Sequence, residues 1–260
     1  MQEIYKEHYK DREVSYAKIG TGEKTIVLFP GVSLVSVLDT LNIIKEAYKI
    51  FLDKYTIYIF ERPMPLSDDY SFLDMVKERL YVLDKLKIEN AYAMGMSIGG
   101  MLIQKMTLMN KNLFSKIVLV STCAKTNEKR EEVIRHWEDL SNKQMTIELV
   151  KSFYENLFEY MSKEKILELA SLCKATKEDF DYFSRSIRTM YNFDIKDEIK
   201  NIKSKALVIG GGKDRIFYPE ASIEISEELN CELYIYDDYS HGVYDENPEF
   251  KERVLAFFEE

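Results

Sequence analysis

The 260-residue sequence predicts an α/β fold in which helices cover both faces of a mostly parallel, twisted sheet. Short apolar runs alternate with amphipathic segments of helical periodicity, which is the pattern of repeated strand–helix–strand units. The runs TIVLF, YTIYIF, AYAMG, KIVLV and ALVIG are almost continuously apolar, as expected of parallel strands that are buried on both faces. The alternation stops between residues 125 and 199, where only helical periodicity is found, and this predicts an all-helical insertion.

The predicted elements follow one another in a regular order. Two strands joined by a glycine turn at residues 20–22 begin the chain. Ser71 and Asp74 form a capping-box pattern at the start of one helix. The further predicted elements are helix 37–52, strand 55–60, helix 71–88, strand 90–94, helix 98–110, strand 116–121, strands 206–209 and 232–236, and helix 248–259.

The insertion divides the chain into a core and a predicted lid. Residues 1–124 and 200–260 carry all the strand signals and form the predicted sheet core. Residues 125–199 carry no strand-like run, so they cannot continue the sheet and are expected to pack over one of its edges. Most aromatic side chains of this segment are expected to pack its helices against each other and against the sheet.

Composition excludes several classes of function. The net charge of −9 and a pI near 5.1 argue against nucleic acid or an anionic membrane as a partner. No apolar run reaches the ~18 residues of a membrane span, and the charged N-terminal segment lacks the core of a signal peptide. Three widely spaced cysteines fit reduced thiols and a cytoplasmic location. With three histidines and no C-x-x-C pair, neither a metal nor a cofactor is expected.

The most informative motif is GMSIGG at residues 95–100, at the junction of a predicted strand and a predicted helix. The serine of such a G-x-S-x-G turn lies on a sharp, strained bend that projects its hydroxyl from the carboxyl edge of the sheet. The glycines remove Cβ atoms that would crowd the turn and the helix behind it. Ser97 is therefore the candidate nucleophile, and it needs a base and an orienting carboxylate.

His241 is the candidate base. It lies in the segment YSHG that follows the last predicted strand, at the edge where open α/β sheets bind their ligands. His8 lies in a charged N-terminal stretch. His136 lies beside Trp137 in the helical insertion, where a surface or packing role is expected.

Asp214 is the candidate orienting acid, because the segment GGGKD at residues 210–214 directly follows a predicted strand. Asp237 and Asp238 end the next strand and are its rivals. They precede His241 by only three or four residues, so they would have to fold back within their own loop. Asp214 also has an ordinary alternative as a turn aspartate that makes a local side-chain hydrogen bond.

The order Ser97, Asp214, His241 is that of the α/β-hydrolases, and nearly the whole sequence resembles a member of that superfamily with a helical lid. Three segments carry the resemblance: the serine motif, GKDRIFYP at 212–219 and HGVYDENP at 241–248. The resemblance implies a serine hydrolase that cleaves a small or medium, largely apolar carboxylic ester, thioester or lactone through an acyl-enzyme on Ser97. It also implies an oxyanion hole formed by the backbone N–H groups of Val32 and Ile98.

Two segments depart from the family's pattern. Pro30-Gly31 replaces the usual His-Gly, and ERPMP at residues 61–65 replaces D-x-R-G and predicts a stiff loop near the entrance. An apolar lid would favour an uncharged acyl or alcohol portion.

Two alternatives remain open at this point. A carbon–carbon bond hydrolase would use the same three residues, whereas a non-catalytic ligand receptor on this fold would be expected to lack one of them. The expected partner is a small acyl substrate, and the sequence leaves the oligomeric state open.

Overall fold

The computed structural model describes residues 3–260, except for the side chains of residues 62–64. One eight-stranded sheet is surrounded by helices, which confirms the predicted fold class. The strands are β1 (Ile4–Tyr9), β2 (Arg12–Ile19), β3 (Lys24–Phe29), β4 (Tyr55–Met64), β5 (Ala91–Met96), β6 (Phe114–Val120), β7 (Lys205–Gly211) and β8 (Glu232–Tyr236). The helices are α1 (Leu41–Ala47), α2 (Phe72–Lys85), α3 (Ile98–Met109), α4 (Glu128–Asn142), α5 (Thr146–Leu157), α6 (Lys163–Leu172), α7 (Lys177–Arg188), α8 (Tyr218–Leu229), α9 (Val243–Glu246) and α10 (Phe250–Glu259).

The sheet is mostly parallel, and its strands lie in the order β1-β2-β4-β3-β5-β6-β7-β8. β2 pairs antiparallel with β1 and β4, and every other neighbouring pair is parallel. The carboxyl ends of β3, β5, β6, β7 and β8 therefore meet at one edge of the sheet. Loops at that edge form the ligand sites of open α/β sheets.

Both faces of the sheet are buried under helices. Helices α2, α3 and α8 pack on one face, and α1 and α10 pack on the other. Along β6, Ile117 and Leu119 join the first of these cores, while Val118 and Val120 join the second. All four side chains are fully buried, which explains why the central strands are apolar at every position.

The N-terminal part of the chain differs from its prediction. β1 is an additional strand at the edge of the sheet, where its charged and half-exposed residues are compatible with pairing on one side. The predicted helix 37–52 is broken into a 3₁₀ turn (Val37–Thr40), the short α1, and a second 3₁₀ turn (Lys49–Phe51). Helix α8 is also additional, because the buried Ser222 and Ser226 weaken its apolar periodicity.

The segment 61–65 is not the predicted stiff loop. β4 continues to Met64 and pairs with β2 through Val14 opposite Pro63 and Glu13 opposite Met64. β3 ends at Phe29, so this end of β4 has a neighbour on one side only, and a proline is tolerated in such an edge position.

The four helices α4 to α7 lie between β6 and β7. The two ends of this insertion are joined by backbone hydrogen bonds, from the N–H of Thr126 to the carbonyl of Phe193 (2.8 Å) and from that of Ile195 to Ala124 (2.9 Å). The chain therefore leaves and re-enters the sheet core at one place, and the insertion packs as one helical layer against the core.

The helices are short, and α2, α4, α6 and α7 begin with a side-chain cap. The predicted box at the start of α2 is confirmed, because the Ser71 and Asp74 side chains each accept from the other residue's backbone N–H. The longest helix, α4, has 15 residues. Across residues 3–260, none is both long and apolar enough to cross a membrane.

Ile209 offers a test of the core. Its side chain is fully buried on strand β7, which lies between β6 and β8, opposite Val120 and Tyr234. We expect Ile209→Ala to lower the free energy of unfolding by about 2–5 kcal/mol, since it leaves a cavity in a packed core. Urea unfolding measures this change. The matched control Ile43→Ala, at a position 71% exposed, should stay within about 0.5 kcal/mol of the parent. Equal effects of the two substitutions would contradict the buried position of Ile209.

Candidate active site

Ser97 lies in the sharp turn between β5 and α3. Its backbone has φ 54° and ψ −123°, a region that L residues rarely occupy and that stores about 1–3 kcal/mol of strain. Its N–H donates to the carbonyl of Val120 on β6 at 2.9 Å. The Thr122 hydroxyl, fully buried, donates to the carbonyl of Ser97 at 2.7 Å. Both backbone polar groups of the strained residue, its N–H and its carbonyl, are therefore held by β6 and the loop that follows β6.

The turn also depends on close backbone contact. A Cβ on Gly99 would lie 2.0 Å from the carbonyl oxygen of Phe29, at the end of β3. A Cβ on Gly95 would lie 2.4 Å from the carbonyl oxygen of Gly99. Neither distance is possible for a real carbon atom, so the glycines of the motif let β5 and α3 approach β3.

Asp214 lies in the loop between β7 and α8 and is 4% exposed. Its Oδ1 accepts from the backbone N–H groups of Ile216 (2.8 Å) and Phe217 (3.2 Å). Its Oδ2 accepts from Nδ1 of His241 at 2.8 Å. The two backbone donors orient the carboxylate, which leaves its second oxygen directed at the imidazole.

His241 lies between β8 and α9 and is 1% exposed. Its ring forms a T-shaped contact with the ring of Phe217, with centroids 5.6 Å apart and an interplanar angle of 66°. Because Nδ1 is engaged by Asp214, Nε2 is the nitrogen that remains for a substrate or a nucleophile.

The loop of His241 is fastened to the C-terminal end of α5. The N–H of Gly242 donates to the carbonyl of Leu157 at 2.6 Å. The carboxylate of Glu246 accepts from the N–H groups of Glu159 (3.0 Å) and Tyr160 (2.8 Å). The helical insertion thus takes part in placing the imidazole.

The same end of α5 also contacts the loop of Asp214. Arg215 donates to the carbonyl of Glu155 at 3.0 Å and forms an ion pair with Glu159. We call residues 155–160 the anchor segment, because this stretch binds both loops.

Ser97, His241 and Val32 line one small cavity of about 10 Å³. Gly31 brings the backbone beside the nucleophile, since a Cβ on Gly31 would lie 3.4 Å from Cβ of Ser97. Ile98 is the first residue of α3, where an N–H has no acceptor within its own helix. Of the backbone carbonyls that the structure describes, none accepts from the N–H of Val32. Two N–H groups therefore flank the serine.

The loop that carries Val32 is supported by a buried carboxylate. Glu61, 6% exposed just beyond the part of β4 that pairs with β3, accepts from the Ser36 hydroxyl and from the N–H of Leu38 (3.3 Å). The carboxylate of Glu61 on β4 thus holds the loop 30–38 in place through two hydrogen bonds.

A larger, apolar cavity of about 440 Å³ adjoins the first one. Phe153 lines both cavities. Trp137, the only tryptophan of the chain, and Tyr244 complete the wall near the serine. Burial raises the pKa of Tyr244 well above its usual value, so this wall is uncharged. The other residues of the large cavity come mainly from α5, α6 and the loop 33–39.

The rival candidates lie elsewhere. His8 and His136 are exposed, on β1 and on the outer side of α4. Asp237 and Asp238 are exposed after β8, and Asp238 lies 3.8 Å from the ammonium of Lys213. Within the described chain no group of three or more His, Cys, Asp or Glu side chains could hold a metal ion.

Sequence reasoning missed three residues that support the site. Thr122 and Glu61 carry no signal in the sequence, because their partners are backbone atoms of distant segments. Glu246 lies in the matched segment HGVYDENP, so its position in the motif was a signal without an assigned role.

Comparison with known proteins finds similarity to hydrolases. The family model for the alpha/beta hydrolase fold matches residues 60–168. An uncharacterized hydrolase of Bacillus subtilis, YugF, is 22% identical over 98% of this chain and 93% of its own length. The chain is similar to these proteins, and they are named for the enzyme class predicted from the sequence, a hydrolase.

Solved structures share the fold over the full chain. The alpha/beta hydrolase MGS-M2 from a Medee basin deep-sea metagenome library has a TM-score of 0.86 at 18% identity, over 98% of both chains. An esterase from Exiguobacterium antarcticum has a TM-score of 0.80 at 18% identity, over 96% of both chains. A meta-cleavage product hydrolase from Pseudomonas fluorescens has a TM-score of 0.77 at 19% identity, over 95% of this chain and 94% of that one.

The cysteines test the burial of the region behind the site. Burial raises the pKa of the Cys123 thiol to about 12, so its thiolate fraction at pH 8 is roughly 10⁻⁴. Cys173 is half-buried and lines the large cavity. We expect iodoacetamide at pH 8 to alkylate Cys173 well before Cys123, as read by peptide mass mapping. The same reaction in urea should modify both. Equal rates in the folded protein would contradict the burial of Cys123.

Proposed function

We propose that the protein is a serine hydrolase that cleaves a small or medium, largely apolar carboxylic ester through an acyl-enzyme on Ser97. The observation that carries this proposal is the buried hydrogen bond from His241 to Asp214 (2.8 Å), with the imidazole and Ser97 lining one cavity. A hydroxyl, an imidazole and a carboxylate in this relation are the parts of a nucleophilic triad.

In the proposed mechanism, Nε2 of His241 takes the proton of the Ser97 hydroxyl as its oxygen attacks the ester carbonyl carbon. The carbonyl oxygen becomes an oxyanion, which the N–H groups of Val32 and Ile98 bind. The tetrahedral intermediate collapses, and the imidazolium gives its proton to the departing alcohol. Water then repeats the attack on the acyl-enzyme and releases the acid. Asp214 holds the tautomer in which Nδ1 carries the proton.

The oxyanion donors carry a large share of the proposed rate. One such donor typically contributes 10²–10³-fold, about 3–4 kcal/mol of transition-state stabilisation. The support that Glu61 gives to the Val32 loop matters for this reason, because a donor must keep its position as charge develops on the substrate oxygen.

The cavities support an orientation of the substrate. The imidazole protonates the leaving alcohol, so the alcohol portion lies on the side of His241. The large apolar cavity shares Phe153 with the cavity that His241 lines, and we place the alcohol portion there. A long apolar alcohol portion is therefore the best fit to about 440 Å³ of largely apolar space, and the helical insertion acts as the lid over it.

Two other readings are separated by experiment. A carbon–carbon bond hydrolase, the activity named for the Pseudomonas relative, would use the same triad on a vinylogous diketone. A ligand receptor would bind without turnover.

The three free cysteines favour a cytoplasmic location for any of these functions.

The nucleophile is tested with a fluorophosphonate probe and peptide mapping. We expect the label on Ser97, and its loss in His241→Ala, because the hydroxyl is a poor nucleophile without its base. His136→Ala, at an exposed histidine, is the matched control and should keep the label. A folded wild-type protein that is not labelled would favour the receptor reading.

The acid is tested with Asp214→Asn. The amide oxygen can still accept from Ile216 and Phe217, but its NH₂ group then faces Nδ1 and imposes the wrong tautomer. We expect kcat for a p-nitrophenyl ester to fall by roughly 10³–10⁴-fold. Asp237→Asn changes an exposed carboxylate and should leave kcat within about twofold. The reverse result would reassign the acid.

The large cavity is tested with butanoate esters of butyl, hexyl and octyl alcohol, followed in a pH-stat. We expect kcat/KM to rise with alcohol length, by about three- to tenfold per two carbons while the chain is buried. Leu169→Trp fills the cavity from α6 and should remove the preference for octyl. Leu167→Trp, at an exposed position of the same helix, should keep it. A flat profile in the wild-type protein would refute the orientation.

A further inference from the structure

A third cavity lies against the loop 30–38, which carries Val32, and His241 is not part of its wall. Its volume is about 40 Å³, and Val32 and Ile98 are part of its wall. The polar side chains of the wall are Ser33, Glu61, Arg79, Tyr182 and Ser186. A substrate whose carbonyl oxygen binds the two N–H groups therefore has its acyl portion next to this cavity, since its alcohol portion points towards His241.

Two of these side chains carry a buried polar atom without a partner. Arg79 on α2 is 5% exposed, and Ser186 on α7 is 2% exposed. Within residues 3–260, Nε of Arg79 and Oγ of Ser186 have no hydrogen-bond partner. A buried polar atom without a partner costs about 1–3 kcal/mol, and such atoms are rare enough in proteins that each one needs an explanation.

Arg79 is held firmly in place. Its Nη1 donates to the carbonyl of Met75 (3.0 Å) and to Oε1 of Glu78 (2.5 Å). The hydroxyl of Tyr70 donates to the same carboxylate oxygen, and Arg12 lies 3.4 Å from the other oxygen. The guanidinium is therefore fixed from behind by a buried network.

Among the side chains that the structure describes, the buried charges around this cavity balance without a ligand. The buried charged side chains are Arg12, Arg79, Glu61 and Glu78, two of each sign. A further buried carboxylate would have no counter-charge, which proteins avoid because an unpaired ion loses its hydration. An uncharged oxygen keeps the balance. The available room, about 40 Å³, suits one small group, since a water molecule takes about 30 Å³ in the liquid.

Building on the proposed function, we propose that this polar cavity is the acyl subsite and that it binds one uncharged oxygen substituent of a short acyl chain. A hydroxyl or keto oxygen near the scissile carbonyl accepts from Arg79 and exchanges a hydrogen bond with Ser186. The substrate class is then an ester of a short hydroxy or keto acid with an apolar alcohol. The residues of this subsite lie on α2 and α7, so the core and the insertion each supply one.

The test compares three p-nitrophenyl esters: the butanoate, the 3-hydroxybutanoate and the hemisuccinate. We expect kcat/KM for the hydroxy ester to exceed that of the butanoate at least about tenfold, because a site built for a hydrogen bond discriminates against the analogue without it. The hemisuccinate should be the poorest of the three. Equal rates for the three esters, or a preference for the hemisuccinate, would overturn the subsite while leaving the hydrolase in place.

The matched variants are Ser186→Ala and Ser184→Ala, two buried serines of α7. Ser186→Ala removes a hydroxyl without a partner, so it should fold and should reduce the preference for the hydroxy ester over the butanoate to about threefold or less. Ser184 bonds to Asn142 at 2.7 Å, away from the cavity, and Ser184→Ala should keep the full preference. The same loss in both variants would overturn the role of Ser186.

A binding measurement decides the subsite even if no ester is hydrolysed. In Ser97→Ala, the fluorescence of Trp137, which lines the catalytic cavity, reports titration with ethyl butanoate or ethyl 3-hydroxybutanoate. We expect the Kd of the hydroxy ester to be at least about fivefold lower, and this difference to vanish in Ser97→Ala/Ser186→Ala. Equal Kd values in Ser97→Ala would overturn the subsite. Tight binding without hydrolysis by the wild-type protein would overturn the proposed function alone.

Discussion

The strained backbone of Ser97 is the constraint on which the rest of the structure depends. A residue at φ 54° and ψ −123° persists only where its surroundings over-determine it. Here β3 and β6, the two neighbours of β5, both contribute. β3 places the carbonyl of Phe29 against Gly99, and the loop after β6 places the Thr122 hydroxyl on the carbonyl of Ser97. The order of the strands is therefore also the support of the nucleophile.

The candidate triad could be predicted because each member follows an apolar strand. Parallel strands end at one edge, so Ser97, Asp214 and His241 needed only to lie just after β5, β7 and β8 to meet there. Asp237 also follows a strand at this edge, so topology alone does not separate it from Asp214. The short separation in sequence between Asp237 and His241 favours Asp214, which is the carboxylate that contacts the imidazole. This part of the site depends on topology, which the hydrophobic pattern encodes.

The rest of the structure could not be predicted, because it depends on contacts between distant segments. β1 is charged and lies at an edge, so no apolar pattern marks it. Pro63 belongs to a strand only because β3 ends before reaching it. The cavities combine side chains of α2, α5, α6 and α7 with the loop 30–38, and single residues such as Arg79 give no sign in the sequence of which wall they form.

The anchor segment has a consequence for how the insertion can move. Residues 155–160 bond to the loops of both Asp214 and His241, so a rotation of α5 at this end would drag the imidazole away from the serine. Helix α6 differs, because its side-chain hydrogen bonds among the described residues stay within the helix and its cap. It packs on α5 and exposes Leu167 and Leu172 to solvent. A displacement of α6 would therefore leave the bonds between the anchor segment and the two catalytic loops intact.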